Sequence, residues 1–96
     1  MYYVYVLLNQ DDESSRKFYI GVTDDIERRV AEHNKGLSNY TSKFGPWALV
    51  YYEAYLSTAD ASRREKQLKH HGKGLQELKK RLSTSINEAK KVRDWL

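Results

Sequence analysis

The chain has 96 residues, 40% hydrophobic, 12% aromatic and 31% charged, which is apolar material for one small core and too little length for two independent ones. Seventeen Lys and Arg against thirteen Asp and Glu leave a formal charge of +4, a weak attraction for polyanions. The absence of cysteine excludes disulfides, thiolate nucleophiles and Cys-based metal sites, and the longest apolar run, Tyr2 to Leu8, falls far short of the roughly 20 residues that cross a bilayer. The expectation is one domain over residues 1–96, soluble, unexported and cytoplasmic, with no membrane partner.

Tyr2 to Leu8 is aromatic and β-branched, with two leucines, and gives way to the polar stretch Asn9 to Ser15, so the first element reads as a strand. Phe18-Tyr19-Ile20-Gly21-Val22 follows at the distance of an antiparallel hairpin partner. Thr23-Asp24-Asp25 then offers N-cap groups, Asp24 and Glu27 have the spacing of a capping box, and Gly36 is placed to close a helix over residues 24–35. After a loop from Leu37 to Pro46, Trp47 to Tyr55 has the composition of a third strand. Ser57 and Asp60 can start a second helix running to about His70 and stopping near Gly72 and Gly74. Leu75, Leu78 and Leu82 mark a third helix, and Ile86, Ala89 and Val92 a fourth, so residues 71–96 form a helical extension. The order β-β-α-β-α-α-α predicts an α+β protein with a small three-stranded antiparallel sheet flanked by helices.

Polar side chains fall where the patterns want apolar ones. On the first helix Ile26 and Val30 define the buried face, and Arg29 and His33 share that side one turn apart. A snorkelling arginine and a backbone-satisfied histidine would explain this, as would a common target beyond the helix. On the second helix Glu65 projects between Ala61 and Leu68, where a carboxylate needs either a cation such as Arg29 or a divalent metal. Alternation puts Tyr3, Tyr5 and Leu7 on one strand face, and Tyr19 beside Gly21 on another. The glycine leaves a hole in that side-chain layer, either a plain bulge or a place where a ligand comes close to the sheet. Phenols, guanidinium, imidazole and carboxylate converging on one surface would suit phosphodiester cleavage.

Val4-Tyr5-Val6 and Tyr19-Ile20-Gly21, then Arg29-x-x-x-His33 and the distant Arg64-Glu65, resemble the GIY-YIG nuclease superfamily over about residues 2 to 70, and its small stand-alone bacterial members in particular. The resemblance implies a small three-stranded antiparallel sheet flanked by helices and a catalytic set of Tyr5, Tyr19, Arg29, His33 and Glu65. In that set Tyr5 is the proton acceptor assisted by His33, Tyr19 orients water or phosphate, Arg29 stabilises phosphate charge and Glu65 holds one divalent cation, Mg2+ or Mn2+. The first motif departs from the family pattern, with Tyr3 and Val4 where glycine and isoleucine stand. Asn87 is the one asparagine after Glu65, and its spacing does not match the family's second polar residue.

The leading expectation is therefore a metal-dependent endonuclease acting on DNA, branched or otherwise structured; the alternative is a catalytically weak or inactive nucleic-acid-binding module of the same fold. A purely structural domain would have no use for all five groups. The basic segment around Glu65 supplies Arg63, Arg64, Lys66, Lys69 and Lys73 as candidate phosphate contacts, directed to backbone and shape. A protein partner fits so small a chain, though no residue identifies one.

Overall fold

The computed structural model describes residues 1–11, 17–36, 45–70 and 73–91. The elements follow in the order β1 (Tyr2–Asn9), β2 (Phe18–Thr23), α1 (Ile26–Asn34), β3 (Trp47–Tyr55), α2 (Thr58–His70), α3 (Lys73–Arg81) and α4 (Ser83–Lys91). This is the α+β order expected from the sequence. The expected turns over 12–15 and 37–44, the glycine at 72 and the valine at 92 lie outside the described residues.

The sheet is antiparallel in the order β2-β1-β3, so the most apolar strand occupies the centre. Against β2, Tyr5 pairs with Gly21 and Leu7 with Tyr19; against β3, Tyr5 pairs with Tyr52, with an irregularity between Val6 and Leu7. Helices cover both faces, and Val4 to Asn9 are therefore buried without interruption instead of alternating with exposed positions. On one face Val4, Val6 and Ile20 pack against Ala61 and Leu68 of α2 and Leu78 of α3. On the other, Tyr5, Leu7 and Trp47 pack against Val30 of α1. Ala89 of α4 closes a third cluster with Leu8 and Ala48. The C-terminal segment thus supplies core residues in addition to its polar surface.

The helix ends differ in detail from the expectation. Asp25, not Asp24, caps α1: its backbone is extended and its carboxylate accepts the amide of Arg28 at 3.1 Å. Thr23 sets up that cap, its hydroxyl accepting the Asp25 amide at 3.1 Å, which leaves Asp24 outside to pair with Arg28. Gly36 takes the expected left-handed conformation after the helix, with φ 77°. Ser57 accepts the Ala59 amide at the start of α2, as its side chain predicts. Gly74 does not stop a helix; it sits in the first turn of α3, where a Cβ would stand 3.3 Å from the Gln67 carbonyl, so the glycine lets α3 approach α2. At the far end of α1, the Asn34 amide donates to the Trp47 carbonyl at 2.9 Å and accepts the Trp47 amide at 2.8 Å, fastening α1 to the beginning of β3. Among the described residues no helix is long and apolar enough to cross a membrane.

Candidate active site

Cross-strand register brings the first two candidates together. Tyr5 stands opposite Gly21 on the α1 side of the sheet, and the hole that glycine leaves is filled by the Tyr5 ring itself. A Cβ at position 21 would lie 2.5 Å from the Tyr5 hydroxyl and 2.7 Å from its ring carbon Cζ, so only glycine lets the phenol lie across the edge strand. Of the two sequence readings of Gly21, neither a bulge nor an external ligand accounts for the position; an internal side chain does.

Helix α1 brings the imidazole to this phenol. Its cap at Asp25 and its anchor at Asn34 fix the helix over the sheet, and His33, one turn beyond Arg29, reaches the phenol: the Tyr5 hydroxyl lies 2.8 Å from His33 Nε2. Both residues are 1% exposed. The Tyr19 ring completes the cluster, its centroid 4.7 Å from the imidazole and 6.2 Å from the Tyr5 ring, with Trp47 at 6.3 Å on its other side.

Burial decides the protonation states. It pushes the His33 imidazole down to about 4, helped by the Arg29 charge and opposed by Glu32, so the ring is neutral at pH 7. Burial, then Tyr19, raises the Tyr5 phenol above its ordinary value of 10, while the Arg29 guanidinium acts in the opposite direction. The phenol and the neutral ring therefore share one hydrogen bond, whose direction is set by the imidazole tautomer. Burial works against the Arg29 charge, but its hydrogen-bonding with Tyr5 and Glu32 outweighs that and raises its pKa. Arg29 is partly exposed and also donates to Glu32 at 3.3 Å.

Glu65 arrives from α2, the helix on the opposite face. Its charge bears on the Tyr5 phenol, raising it, so it belongs to the same neighbourhood. It does not form the ion pair with Arg29 that would have explained a buried carboxylate; Lys69 donates to it at 3.1 Å from the next turn of its own helix. The other basic candidates are dispersed in role. Arg63 pairs with Asp60 at 2.9 Å, Arg64 donates to Glu53, and Lys66 and Lys73 are exposed. Asn87 is exposed on α4. Among the described residues no three His, Cys, Asp or Glu side chains group as a metal site.

The carboxylate held most firmly is Glu53 of β3. It accepts from Tyr51 at 2.8 Å, from Tyr55, and from Arg64 Nε at 3.0 Å to each oxygen. Although burial acts to raise it, these three donors lower its pKa overall. The sequence carries the signal: Tyr51, Glu53 and Tyr55 alternate along one strand face, and α2 must cross that face. The cluster ties α2, and with it Glu65, to the sheet.

A family profile described as the GIY-YIG catalytic domain matches residues 1–81, that is, every element through α3. A UPF0213 protein of Lacticaseibacillus paracasei is 43% identical over 70 residues, covering 72% of this chain and 74% of that protein. A protein of Giardia intestinalis named as a structure-specific endonuclease subunit SLX1 homolog is 37% identical over 57 residues, 56% of this chain but 16% of that one. Among solved structures, the solution NMR structure of the UPF0213 protein BH0048 from Bacillus halodurans superposes with a TM-score of 0.53 at 34% identity, covering 94% of this chain and 96% of the other.

Proposed function

Since the chain belongs to the GIY-YIG catalytic-domain family, we propose that it is a divalent-metal-dependent endonuclease that hydrolyses phosphodiester bonds of structured DNA. The observation that carries this reading is the buried hydrogen bond between the Tyr5 hydroxyl and Nε2 of the neutral His33. A phenol whose pKa is raised is a poor base by itself. Coupled to an imidazole acceptor, it can take a proton from an attacking water on one lone pair while passing its own proton to Nε2. Arg29, already in reach of Tyr5, turns its guanidinium to the phosphate and opposes the charge that develops there. Tyr19, packed on the imidazole, holds the pair in register and orients the substrate.

Glu65 fits a hard cation of the Mg2+ or Mn2+ kind, which takes one or two carboxylates and completes its shell with water and phosphate oxygens. Bound there, such a cation would supply Lewis-acid charge at the phosphate. Lys66 and Lys73, with Arg63 and Lys69 when they exchange their carboxylate partners for phosphate, form a diffuse phosphate contact; Arg64 serves chiefly to hold Glu53. Selection of structured DNA is suggested by the name of the Giardia relative.

A binding module without turnover is the second reading, favoured by the complete burial of Tyr5 and His33. A cleavage assay on branched, nicked and linear DNA with Mg2+ or Mn2+, comparing the parent with Glu65→Gln, separates them. The nuclease reading expects metal-dependent cleavage by the parent and none by the variant, with unchanged folding. Undiminished cleavage by Glu65→Gln removes that residue from the mechanism, and binding without cleavage by the parent establishes the second reading.

A further inference from the structure

β2 is an edge strand, and along its outer side, where α2 and α3 meet the sheet, the structure opens a cavity of about 490 Å3. Among the described residues its lining is Phe18, Tyr19, Ile20, Leu68, Leu75 and one charged side chain, Lys69. This size lies in the range of roughly 300–1,000 Å3 in which proteins hold small organic groups. Two features join it to the candidate active site. Tyr19 borders both, and the Lys69 ammonium is paired with Glu65 at 3.1 Å. On the wall itself, the Lys79 ammonium stands 4.6 Å over the Phe18 ring.

An occupant must therefore present an apolar face to Phe18, Leu68 and Leu75 and carry negative charge for Lys69 and Lys79. We propose that the cavity takes an unstacked nucleobase of the strand being cut, its flanking phosphates held by these lysines. The inference rests on the nuclease reading for the position of the scissile phosphate. A base seated against β2 brings the strand past Tyr19, which borders the candidate site, and past Lys69, which, drawn to a phosphate, releases the Glu65 carboxylate for its cation. Continuous duplex must first give up base stacking to fill the cavity, whereas a flap, junction or single strand has a base ready. Preference for structured DNA then arises from the edge of β2, without sequence readout.

The test uses the whole chain with no divalent metal, so binding is measured apart from cleavage. A single-stranded hexadeoxyadenylate is compared with an abasic hexamer of the same phosphate count. Stacking of one base on an aromatic and apolar wall should make the first bind roughly 5- to 100-fold more tightly. Backbone amide NMR shifts should appear at Phe18, Ile20, Leu68 and Leu75 with the first oligomer only. Leu75→Trp, which fills the cavity, and Phe18→Leu, which removes the aromatic wall, should each reduce the difference while leaving the abasic affinity unchanged. Equal affinities for the two oligomers, or a base-dependent difference that survives in both variants, overturn the proposal. Base-dependent binding by a chain that cleaves nothing supports the cavity and refutes the nuclease reading separately.

Discussion

Replacing Gly21 with alanine tests whether the pleat of β2 sets the position of the candidate base. The added methyl would sit 2.5 Å from the Tyr5 hydroxyl, 2.7 Å from Cζ and 3.0 Å from Cε1, where ordinary contact begins near 3.4 Å. The ring must retreat by about 0.9 Å at its hydroxyl end, and its buried surroundings and the 2.8 Å bond to His33 resist the movement. Overpacking of a well-filled core costs about 1–3 kcal/mol, and a lost neutral hydrogen bond adds about 1 kcal/mol. Gly21→Ala should therefore lower stability by about 2–4 kcal/mol, seen in urea unfolding as a lower midpoint at unchanged slope. Its cleavage rate should fall by roughly the 10²–10⁴ expected when a general base is displaced. The same substitution in a Tyr5→Leu background should be nearly neutral for folding, because the obstructing hydroxyl and outer ring atoms are gone. A Gly21→Ala protein as stable as the parent, or equally destabilised in both backgrounds, would refute the close approach of Tyr5 to Gly21.

Three further outcomes follow from the electrostatics. His33 has its pKa lowered from 6.5 to about 4 in the folded chain, so the unfolded chain binds a proton first; stability should fall as pH drops from about 6.5 toward 4, by about 2–3 kcal/mol, and His33→Gln should flatten that part of the pH profile of urea unfolding. A stability profile that is level across this window would place a charged imidazole beside Tyr5. Arg29→Lys keeps the charge but loses the planar fork, so single-turnover cleavage should fall by roughly 10²-fold with DNA affinity little changed, and an equal loss of both would make Arg29 a binding residue only. Arg64→Met leaves Glu53 with its two phenols and no cation; the pair is partly exposed, so thermal or urea unfolding should show a loss of about 1–3 kcal/mol, and a neutral effect would deny that Arg64 ties α2 to the sheet.

Periodicity and capping chemistry were legible because they are local. Alternation and β-branching mark β1, β2 and β3, the Ser57 cap and Gly36 delimit helices, and apolar spacing places Ala61, Leu68, Leu78 and Ala89 inward. The candidate residues were legible by type and spacing: Arg29 and His33 one turn apart on a core-facing helix side are an anomaly that any sequence reader can see, and the motif order marks Tyr5, Tyr19 and Glu65 beside them. What they do to one another was not, since it depends on which strand lies next to which and how far α1 stands from the sheet. The register that sets Tyr5 over Gly21 converts a missing side chain into a bed for a phenol, and burial on that side keeps His33 neutral. Lys69, rather than Arg29, is the partner of Glu65 because the two stand one turn apart on the same helix. The Glu53 cluster likewise needs α2 laid across β3 before its Tyr-x-Glu-x-Tyr alternation has an arginine to meet. Local sequence determines the elements and the chemical groups they carry; the long-range packing of two helical layers on one sheet determines which groups share a proton, which share a charge, and which are kept apart.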